Sequence, residues 1–415
     1  MNSSHNRGRY QRIAVLATAA LALTACGGAN GDDPGSGDEV KIGFAAEMTG
    51  LKATVGERLL PGAQKAVEAI NKAGGAAGSQ LTLVKGDTES TAQGAVGAIS
   101  ALVAEKVSAI VGPTSVTVMS VLDRIQESGI PSIVIGGTTA LDDTLKGETT
   151  WRTASSDSLS GPAMAITAVD GGYDNCALVF EDAEGAQSVK KTVADALKGL
   201  GGTIVADLKL AVGQSDYRSS LLELAGSGAT CAFFELSPET AAAFWQNASQ
   251  FDELSDMYWV GNDVILSDEG ITAAQPVLDK FQIRAVSPAA IGPGREDFAA
   301  LFDGEPPALA DLAYDATNIL ALAAEAAGSW DKDAVAAEVQ NVSRDGESCT
   351  NFAACKDLLA KGADINYEGA SGSNDIDDTG NSSSDFGVFT IKDGAATQSG
   401  KVAESDVLDL LSKMS

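Results

Sequence analysis

Short apolar strands alternate with helical segments along most of the chain, and this rhythm restricts the possible folds more than any other feature. The first series begins at Val40 and contains the strand patterns VKIGFAAE, QLTLVKGD, SAIVGP and IPSIVIGG. Between the first two strands, the segment GAQKAVEAINKAG places Ala63, Ala66, Val67 and Ile70 on one face of a helix. Parallel strands joined by helices bury both faces of their sheet, so the series predicts an α/β fold.

A second series of the same kind follows the segment TWRTASSDSLSG. It contains the strand patterns NCALVFED, TIVADLKL, TCAFFEL and MYWVGND, with helical patterns between them. The chain has 415 residues, which is enough for two separate cores. We therefore predict two doubly wound parallel-sheet lobes, with an edge hairpin near the carboxyl end in the alternating segment DFGVFTIKDGAAT.

The amino-terminal segment is typical of an export signal. Three arginines, Arg7, Arg9 and Arg12, precede an 11-residue apolar run that is too short to span a bilayer as a helix. The run leads into LTAC, which resembles the bacterial lipobox, so we expect Cys26 to be lipid-modified; a chance cysteine after an ordinary signal is the alternative. Residues 1–25 are then a lipoprotein signal peptide, and the Gly-, Asp- and Ser-rich residues 26–39 form a flexible tether. The mature protein would be lipid-anchored to the outer face of the bacterial cytoplasmic membrane.

Charge and histidine content exclude several classes of function. The formal net charge of −29 argues against a nucleic-acid partner. The only histidine, His5, lies in the predicted signal, so Ser-His-Asp and Cys-His catalysis and imidazole metal sites are excluded from the mature chain. In DIDDTG, Phe386 stands where a calcium loop has glutamate. We therefore expect no enzyme, no metal site and no cofactor.

Four cysteines remain after the predicted signal, and they allow three pairings. Cys176 and Cys231 begin the first and third strands of the second series. In a sheet of order 2-1-3 these strands are parallel neighbours, so we predict a Cys176–Cys231 disulfide. Cys349 and Cys355 then form the second disulfide. Buried free thiols at 176 and 231 are the alternative.

The junction Gly112-Pro113-Thr114-Ser115 lies where a predicted strand ends and a predicted helix begins. In α/β sheets ligands bind at such junctions, because the helix N-terminus offers unpaired N–H groups. Ser115 either binds a ligand there or only caps its helix.

Seven segments in order resemble the leucine/isoleucine/valine-binding family of type I periplasmic substrate-binding proteins of ABC transporters. They are KIGFAAEMTGLKATVGERLLPGAQKAVEAINKAGG, LVKGDTES, AIVGPTS, GIPSIVIGGTT, WRTASSDSLSGP, YDAT and INYEGASG. The resemblance implies two lobes joined by three hinge crossings, expected near 154–157, near 285–289 and between 342 and 362. The expected division is 40–155 plus about 288–342 for lobe 1, 156–287 plus about 362–397 for lobe 2, 343–361 for a disulfide-containing crossover and 398–415 for a C-terminal segment.

The resemblance also implies a set of ligand-binding residues. Ser115, with Thr114 beside it, would donate to the carboxylate of an amino-acid ligand. The N-terminus of a helix also favours an anion, because its N–H groups and the positive end of its dipole face the ligand. Asp263, with Asn262 beside it, would hold the ammonium group, although it could instead cap a turn. The remaining expected ligand contacts are Gly136, Gly137 and Thr138.

One position departs from the family pattern. The family often has a Tyr-Gly pair after the first strand of lobe 2, where this chain has Glu184 before Gly185. Glu184 is either a second cation-binding group or a solvated acid at the start of a helix.

The function implied by the resemblance is that of the substrate-binding lipoprotein of an ABC importer. It would capture a small branched-chain-type amino acid or a related amide in the cleft and deliver it to a membrane permease after hinge closure. We expect a monomer. A ligand-sensing receptor module on the same fold, signalling to a membrane partner, is the alternative.

Overall fold

The computed structural model describes residues 39–287 and 292–414. The predicted signal peptide, Cys26 and nearly all of the tether therefore lie outside the described residues. Two large sheets organise the described part, one with five strands and one with seven. Each is covered by helices, and each forms the centre of one lobe.

The first sheet is parallel and has the strand order β2-β1-β3-β4-β5. Its elements are β1 (Val40–Ala46), α1 (Ala53–Lys72), β2 (Leu81–Asp87), α2 (Ala92–Ala104), β3 (Ala109–Thr114), α3 (Leu122–Ser128), β4 (Ser132–Ile135) and β5 (Thr150–Arg152). The helix predicted from the amphipathic pattern is α1, which begins well before that pattern and buries Ala63, Ala66 and Ile70 completely.

The second sheet has the strand order β16-β15-β10-β9-β8-β6-β7. Its five central strands, β7, β6, β8, β9 and β10, are parallel. In chain order, these strands and the helices before and between them are α4 (Asp157–Asp170), β6 (Asn175–Glu181), α5 (Glu184–Gly199), β7 (Thr203–Leu210), α6 (Arg218–Gly226), β8 (Cys231–Glu235), α7 (Pro238–Ala248), β9 (Tyr258–Asn262), α8 (Asp268–Ala274) and β10 (Gln282–Ser287).

After β10 the chain supplies further elements, most of which pack on the first lobe. They are α9 (Arg295–Ala299), α10 (Ala310–Ala327), α11 (Lys332–Glu338), β11 (Glu347–Cys349), α12 (Phe352–Leu359), β12 (Ile365–Tyr367), β13 (Asp375–Ile376) and β14 (Ser382–Ser383). The chain ends on the second lobe with the antiparallel pair β15 (Phe386–Lys392) and β16 (Ala395–Val402), which is the hairpin predicted by alternation, and with α13 (Glu404–Met414).

The segment that follows α12 lies on a different lobe from the one expected. Ile365, Tyr367 and Ile376 pack in the core of the first lobe, and Phe386 is the first residue after them to enter a core of the second. The cause is Asp315, buried inside α10, which accepts hydrogen bonds from the Tyr367 hydroxyl at 2.7 Å and from backbone N–H groups of the same segment. The expectation that lobe 2 resumes near 362 is therefore wrong, and the third crossing lies between 376 and 386.

Both predicted disulfides are present, and the alternative of free thiols at 176 and 231 is wrong. Cys176 and Cys231 are direct register partners on the neighbouring parallel strands β6 and β8. Cys349 and Cys355 join β11 to α12 in the first lobe. The order β7-β6-β8 is the 2-1-3 arrangement on which the first pairing was predicted.

Candidate ligand-binding cleft

A cavity of about 300 Å³ lies between the ends of strands from both sheets. Its walls come from α1, the ends of β3, β4, β9 and β10, the segment between β5 and α4, and the start of α10. The lining residues are Val55, Leu59, Thr114, Ser115, Val116, Ile135, Gly136, Gly137, Thr153, Ala154, Ser155, Asp157, Asp263, Ser287, Leu309 and Leu312. Five of the eight ligand residues expected from the sequence therefore meet in one cavity: Thr114, Ser115, Gly136, Gly137 and Asp263.

The hydroxyl of Thr114 is committed to the protein. It donates to the carboxylate of Glu47, at 2.8 Å to Oε2 and 2.9 Å to Oε1. Glu47 follows β1, is completely buried, and also accepts from the hydroxyls of Thr88 and Thr117 at 3.1 Å each. A buried carboxylate needs such donors, and here they tie together the ends of three neighbouring strands. Thr114 therefore positions the turn that carries Ser115.

Ser115 is exposed to the cavity, but no α-helix starts behind it. The chain forms a short 3-10 segment at Val118–Ser120 before α3 begins at Leu122. Thr117 and Val121 interrupt the helix, because their φ values of −131° and −133° are not helical, and Glu47 holds the Thr117 hydroxyl. The expectation that an α-helix N-terminus faces the ligand at Ser115 is therefore wrong.

Two glycines after β4, Gly136 and Gly137, allow the Ser115 hydroxyl and the Asp157 carboxylate to lie close to the backbone that lines the cavity. A side chain at Gly136 would place its Cβ 2.9 Å from the Ser115 hydroxyl, so only glycine leaves that hydroxyl in place. A Cβ at Gly137 would collide with the carboxylate of Asp157, whose own N–H donates to the Gly137 carbonyl at 2.7 Å. The Ser115 hydroxyl and the Asp157 carboxylate thus lie against adjacent residues.

Thr138, Asn262 and Glu184 are not among the described lining residues. Thr138 is half-buried, and its carbonyl accepts from Arg152 at 3.4 Å. Asn262 is buried at the end of β9 and donates to the Glu235 carboxylate at 2.8 Å. Glu184 is the first residue of α5, and its side chain lies outside what the structure describes.

Asp263 comes directly after β9, and its side chain opens into the cleft. The low dielectric of the surrounding protein desolvates this carboxylate and raises its pKa. Asp157 faces the same cleft, and its pKa is raised to about 6. Desolvation is the largest cause, and repulsion by Asp263 and Asp142 adds to it. The positive charge of Arg152 opposes the rise. The two acids therefore face the same cavity, where each keeps accessible surface and Asp263 repels Asp157.

A third acid, Glu235, lies behind this pair at the end of β8. Desolvation is the largest cause of the rise in its pKa, and repulsion from Asp263 is the next. Repulsion from Asp157 and Glu181 adds to these effects, and the pKa of Glu235 rises to about 7. The hydrogen bond from Asn262 opposes the rise. The second-lobe wall of the cleft consequently attracts cations and N–H donors.

Most of the first-lobe wall is apolar. Aliphatic side chains from α1, the β3 and β4 ends and the start of α10 line it: Val55, Leu59, Val116, Ile135, Leu309 and Leu312. Leu309 holds a left-handed φ of 70° just before α10, a conformation that is costly for a branched side chain. No aromatic residue is found among the described lining residues, so the wall fits an aliphatic group.

Sequence reasoning missed Ser155 and Asp157 as cleft residues. Both lie in the segment where the first hinge crossing was expected, so their place between the lobes was predictable but their exposure to the ligand space was not. The aliphatic wall was also missed, because its members come from four separate parts of the chain.

Comparison with known proteins decides the family. A family model described as periplasmic binding protein matches residues 39–394. The chain belongs to the periplasmic binding protein family. The matched residues include every residue that lines the cavity described above.

Named relatives of this periplasmic binding protein are moderately similar. Leu/Ile/Val-binding protein homolog 3 of Brucella melitensis is 30% identical over 202 residues, which cover 47% of this chain and 54% of the relative. Leu/Ile/Val-binding protein homolog 2 of Brucella abortus is 26% identical over 321 residues, 76% of this chain and 84% of the relative. The chain thus spans only about half the length of the first of these relatives.

Among solved structures, the branched-chain amino acid transporter substrate-binding protein of Streptococcus pneumoniae in complex with isoleucine aligns with a TM-score of 0.68 and 22% identity. The alignment covers 88% of this chain and 99% of that protein, and it shows that the two share the type I periplasmic binding protein fold. In the described part of this periplasmic binding protein, no helix is both long and apolar enough to cross a membrane.

Proposed function

We propose that this protein is the substrate-binding component of an ABC importer and that it captures a small aliphatic amino acid or a related amide between its lobes. It delivers the ligand to a permease in the membrane and works as a monomer. Relatives named as Leu/Ile/Val-binding proteins support the ligand class. No feature of the described residues favours the sensing alternative over import.

The observation that carries this proposal is the division of the cleft into three chemically distinct parts. The Ser115 hydroxyl on the first lobe suits a carboxylate or amide oxygen, and Asp263 on the second lobe suits an ammonium group. The aliphatic wall suits an alkyl side chain, whose full burial is worth about 1.5–3 kcal/mol. An α-amino acid or its amide carries these three groups on one carbon.

Hinge closure follows from the position of the cavity between the lobes. A ligand that contacts Ser115 on one lobe and Asp263 on the other makes all of its contacts only when the lobes are together. It therefore shifts the open–closed equilibrium towards the closed form, which is the form offered to the permease.

A thermal-shift panel tests the proposed function. The panel contains amino acids, their amides, urea, polyamines and small carboxylic acids. A true ligand at 100 times its Kd should stabilise the protein by about 2.7 kcal/mol, which gives a clear rise in Tm. If no small aliphatic amino acid or amide shifts the Tm while another class does, the proposed ligand class is wrong.

We also propose that the protein is exported and held at the membrane by a lipid on Cys26, which the lipobox-like LTAC supports. Cys26→Ser should abolish acylation and leave unprocessed or released protein, since the thiol is the acceptor of the lipid. Metabolic labelling with a fatty acid measures this. Labelling of the variant at the wild-type level would contradict the anchor, and Ser36→Ala in the same predicted tether serves as the control that keeps the label.

A further inference from the structure

The segment between β4 and β5 contacts two of the crossings between the lobes. It belongs to the first lobe, because Leu141 is completely buried in an apolar cluster that also contains residues of α3 and β4. Asp142 follows Leu141 directly, so the core of the first lobe fixes its backbone. Its carboxylate and its carbonyl are each used by a different crossing.

The Asp142 carboxylate holds the first crossing, which joins β5 to α4. Its Oδ1 accepts from the Arg152 guanidinium at 2.6 Å and from the Ser156 hydroxyl at 2.7 Å. Its Oδ2 accepts from the Ser158 hydroxyl at 2.9 Å. Ser158 lies in the first turn of α4, whose apolar residues pack in the second lobe. One carboxylate of the first lobe is therefore bonded to both ends of the crossing.

The Asp142 main chain holds the third crossing. Its carbonyl accepts from the Asn381 side chain at 3.0 Å. One residue earlier, the Gly380 carbonyl accepts from the N–H of Arg152 at 3.0 Å. Gly380 lies so close to the first lobe that a Cβ there would be 2.6 Å from the Thr150 carbonyl oxygen. Asp142 and Arg152 are thus bonded to each other, and each of them is also bonded to the third crossing.

Each of these two crossings also has a buried polar atom without a partner. The Nε of Arg152 and the Oδ1 of Asn381 have no hydrogen-bond partner within the described part of the chain. Buried polar groups are normally paired, and each unpaired group makes the arrangement that contains it less stable. Hinge segments are the places where the backbone rotates when lobes open or close. The hydrogen bonds to Asp142 offset this cost and retain the described arrangement of the lobes.

Resting on the proposed function, we propose that Asp142 is a positioning residue of the hinge. It couples the first and third crossings, so that they move together, and it stabilises the arrangement in which Ser115 and Asp263 line one cavity. Asp142, Ser158 and Asn381 are not among the described residues that line this cavity. Asp142 therefore acts on a ligand only through the lobes, and it sets how long the closed form lasts.

Hydrogen–deuterium exchange of the ligand-free, full-length protein in detergent tests the coupling. Ser158→Ala removes one donor to the Asp142 carboxylate and leaves the Ser156 cap of α4 in place, and Asn381→Ala removes the donor to the Asp142 carbonyl. Each variant should speed exchange about three- to tenfold in the crossing that it does not contact, namely 380–386 for the first and 153–158 for the second. Ser219→Ala, the same change at an exposed position of α6, should alter neither crossing.

The outcomes separate coupling from local or general loosening. Faster exchange only in the crossing that carries the substitution, or in neither crossing, would overturn the proposal. An equal increase in β1 and β3 together with a lower Tm would also overturn it, because that result describes a general loss of stability. The two single-bond variants carry this test, since Asp142→Asn would in addition leave the buried Arg152 without its counter-charge.

Binding kinetics with leucine as the probe connect the hinge to the ligand. Ser158→Ala and Asn381→Ala should each raise the dissociation rate about three- to tenfold and change the association rate less than about twofold, because a ligand enters the open form and leaves only after the closed form opens. Stopped-flow fluorescence measures both rates. Wild-type dissociation rates in both variants contradict the proposal. If wild-type protein does not bind leucine, that result counts against the proposed function, and the exchange experiment decides the coupling by itself.

Discussion

At the scale of single residues, the carboxylates near the cleft have two different tasks. Glu47 is surrounded by three hydroxyl donors and holds the strand ends in place. Asp157, Asp263 and Glu235 instead lie close to other acids. Asp263 repels both of the others, and all three have a raised pKa. The first arrangement stabilises the fold, whereas the second leaves binding capacity for a ligand with positive charge or N–H donors.

Substitutions at Ser115 and Asp263 should weaken binding to different degrees. Ser115→Ala removes one hydroxyl, so we expect a loss of about 1–3 kcal/mol in binding free energy. Asp263→Asn leaves the ligand ammonium without its counter-charge, so the loss should be larger, about 3–5 kcal/mol. Titration calorimetry with the ligand found in the panel measures both. Wild-type affinity in Asp263→Asn would show that no ammonium group is held there.

Glu235 should make the ligand-free protein less stable as the pH rises. Its pKa of about 7 lies above the unfolded value near 4.5, so the folded state binds more protons between these values. The contribution of Glu235 to stability is therefore greatest below pH 4.5 and is lost as the pH rises through 7. Glu235→Gln stays neutral, so at pH 8 it should be more stable than wild type by about 2 kcal/mol, with no difference at pH 4.

Denaturant unfolding at pH 4, 6 and 8 measures this effect. Glu239→Gln is the matched control, since Glu239 is exposed at the start of α7. The control should follow the wild-type pH profile. If Glu235→Gln also follows it, Glu235 is ionised in the folded protein across this range.

At the scale of secondary-structure elements, the close contact between α1 and α10 forms the core of the first lobe. Gly62 on α1 lies against the backbone of Ala310, where α10 begins, and a Cβ at 62 would overlap the Ala310 carbonyl. The same two helices carry the aliphatic wall of the cleft through Val55, Leu59 and Leu312. The packing of these helices therefore sets the width of the binding site.

Gly62→Ala should separate α1 from α10 and lower stability by about 1–3 kcal/mol, as overpacking does. Gly97→Ala is the matched control, because Gly97 lies on the exposed face of α2 with open space around its Cβ position. That control should raise stability by about 0.5–1 kcal/mol through helix propensity. Thermal unfolding compares them, and equal Tm changes in the two variants would contradict the tight contact.

At the scale of the whole molecule, an ion pair joins the two lobes. Arg58 on α1 and Glu269 on α8 approach to 3.9 Å between Nη2 and Oε2; the Glu269 side chain is largely exposed and that of Arg58 is partly exposed. An exposed ion pair of this kind contributes about 0–1 kcal/mol. Because its partners belong to different lobes, that energy favours closure rather than folding.

Glu269→Gln should reduce ligand affinity by up to about fivefold at low salt and leave the Tm of the ligand-free protein nearly unchanged. Asp268→Asn removes the neighbouring charge and serves as the control. The difference between the two should vanish at high ionic strength, because salt screens exposed charges. Equal affinities of the variant and the control at low salt would show that the pair does not assist closure.

Several properties of the whole molecule follow from the sequence alone. The alternation of strands and helices predicts two α/β lobes because secondary structure depends on local periodicity. The pairing of Cys176 with Cys231 follows from the strand order. The place of Ser115 in the cleft follows from the rule that strand ends in an α/β sheet face the ligand, whereas Gly136 and Asp263 were expected from the family resemblance.

Other properties depend on contacts between distant parts of the chain. Asp315 accepts a hydrogen bond from Tyr367 and so holds that segment on the first lobe. Glu47 accepts hydrogen bonds from the hydroxyls of Thr114 and Thr117, and the helix expected after Ser115 does not form. A local pattern cannot show which donors a buried carboxylate will find, because burial depends on the packing of every neighbouring element. For the same reason only the tertiary structure shows that Asp157 and Asp263 face one cavity, where Asp263 repels Asp157.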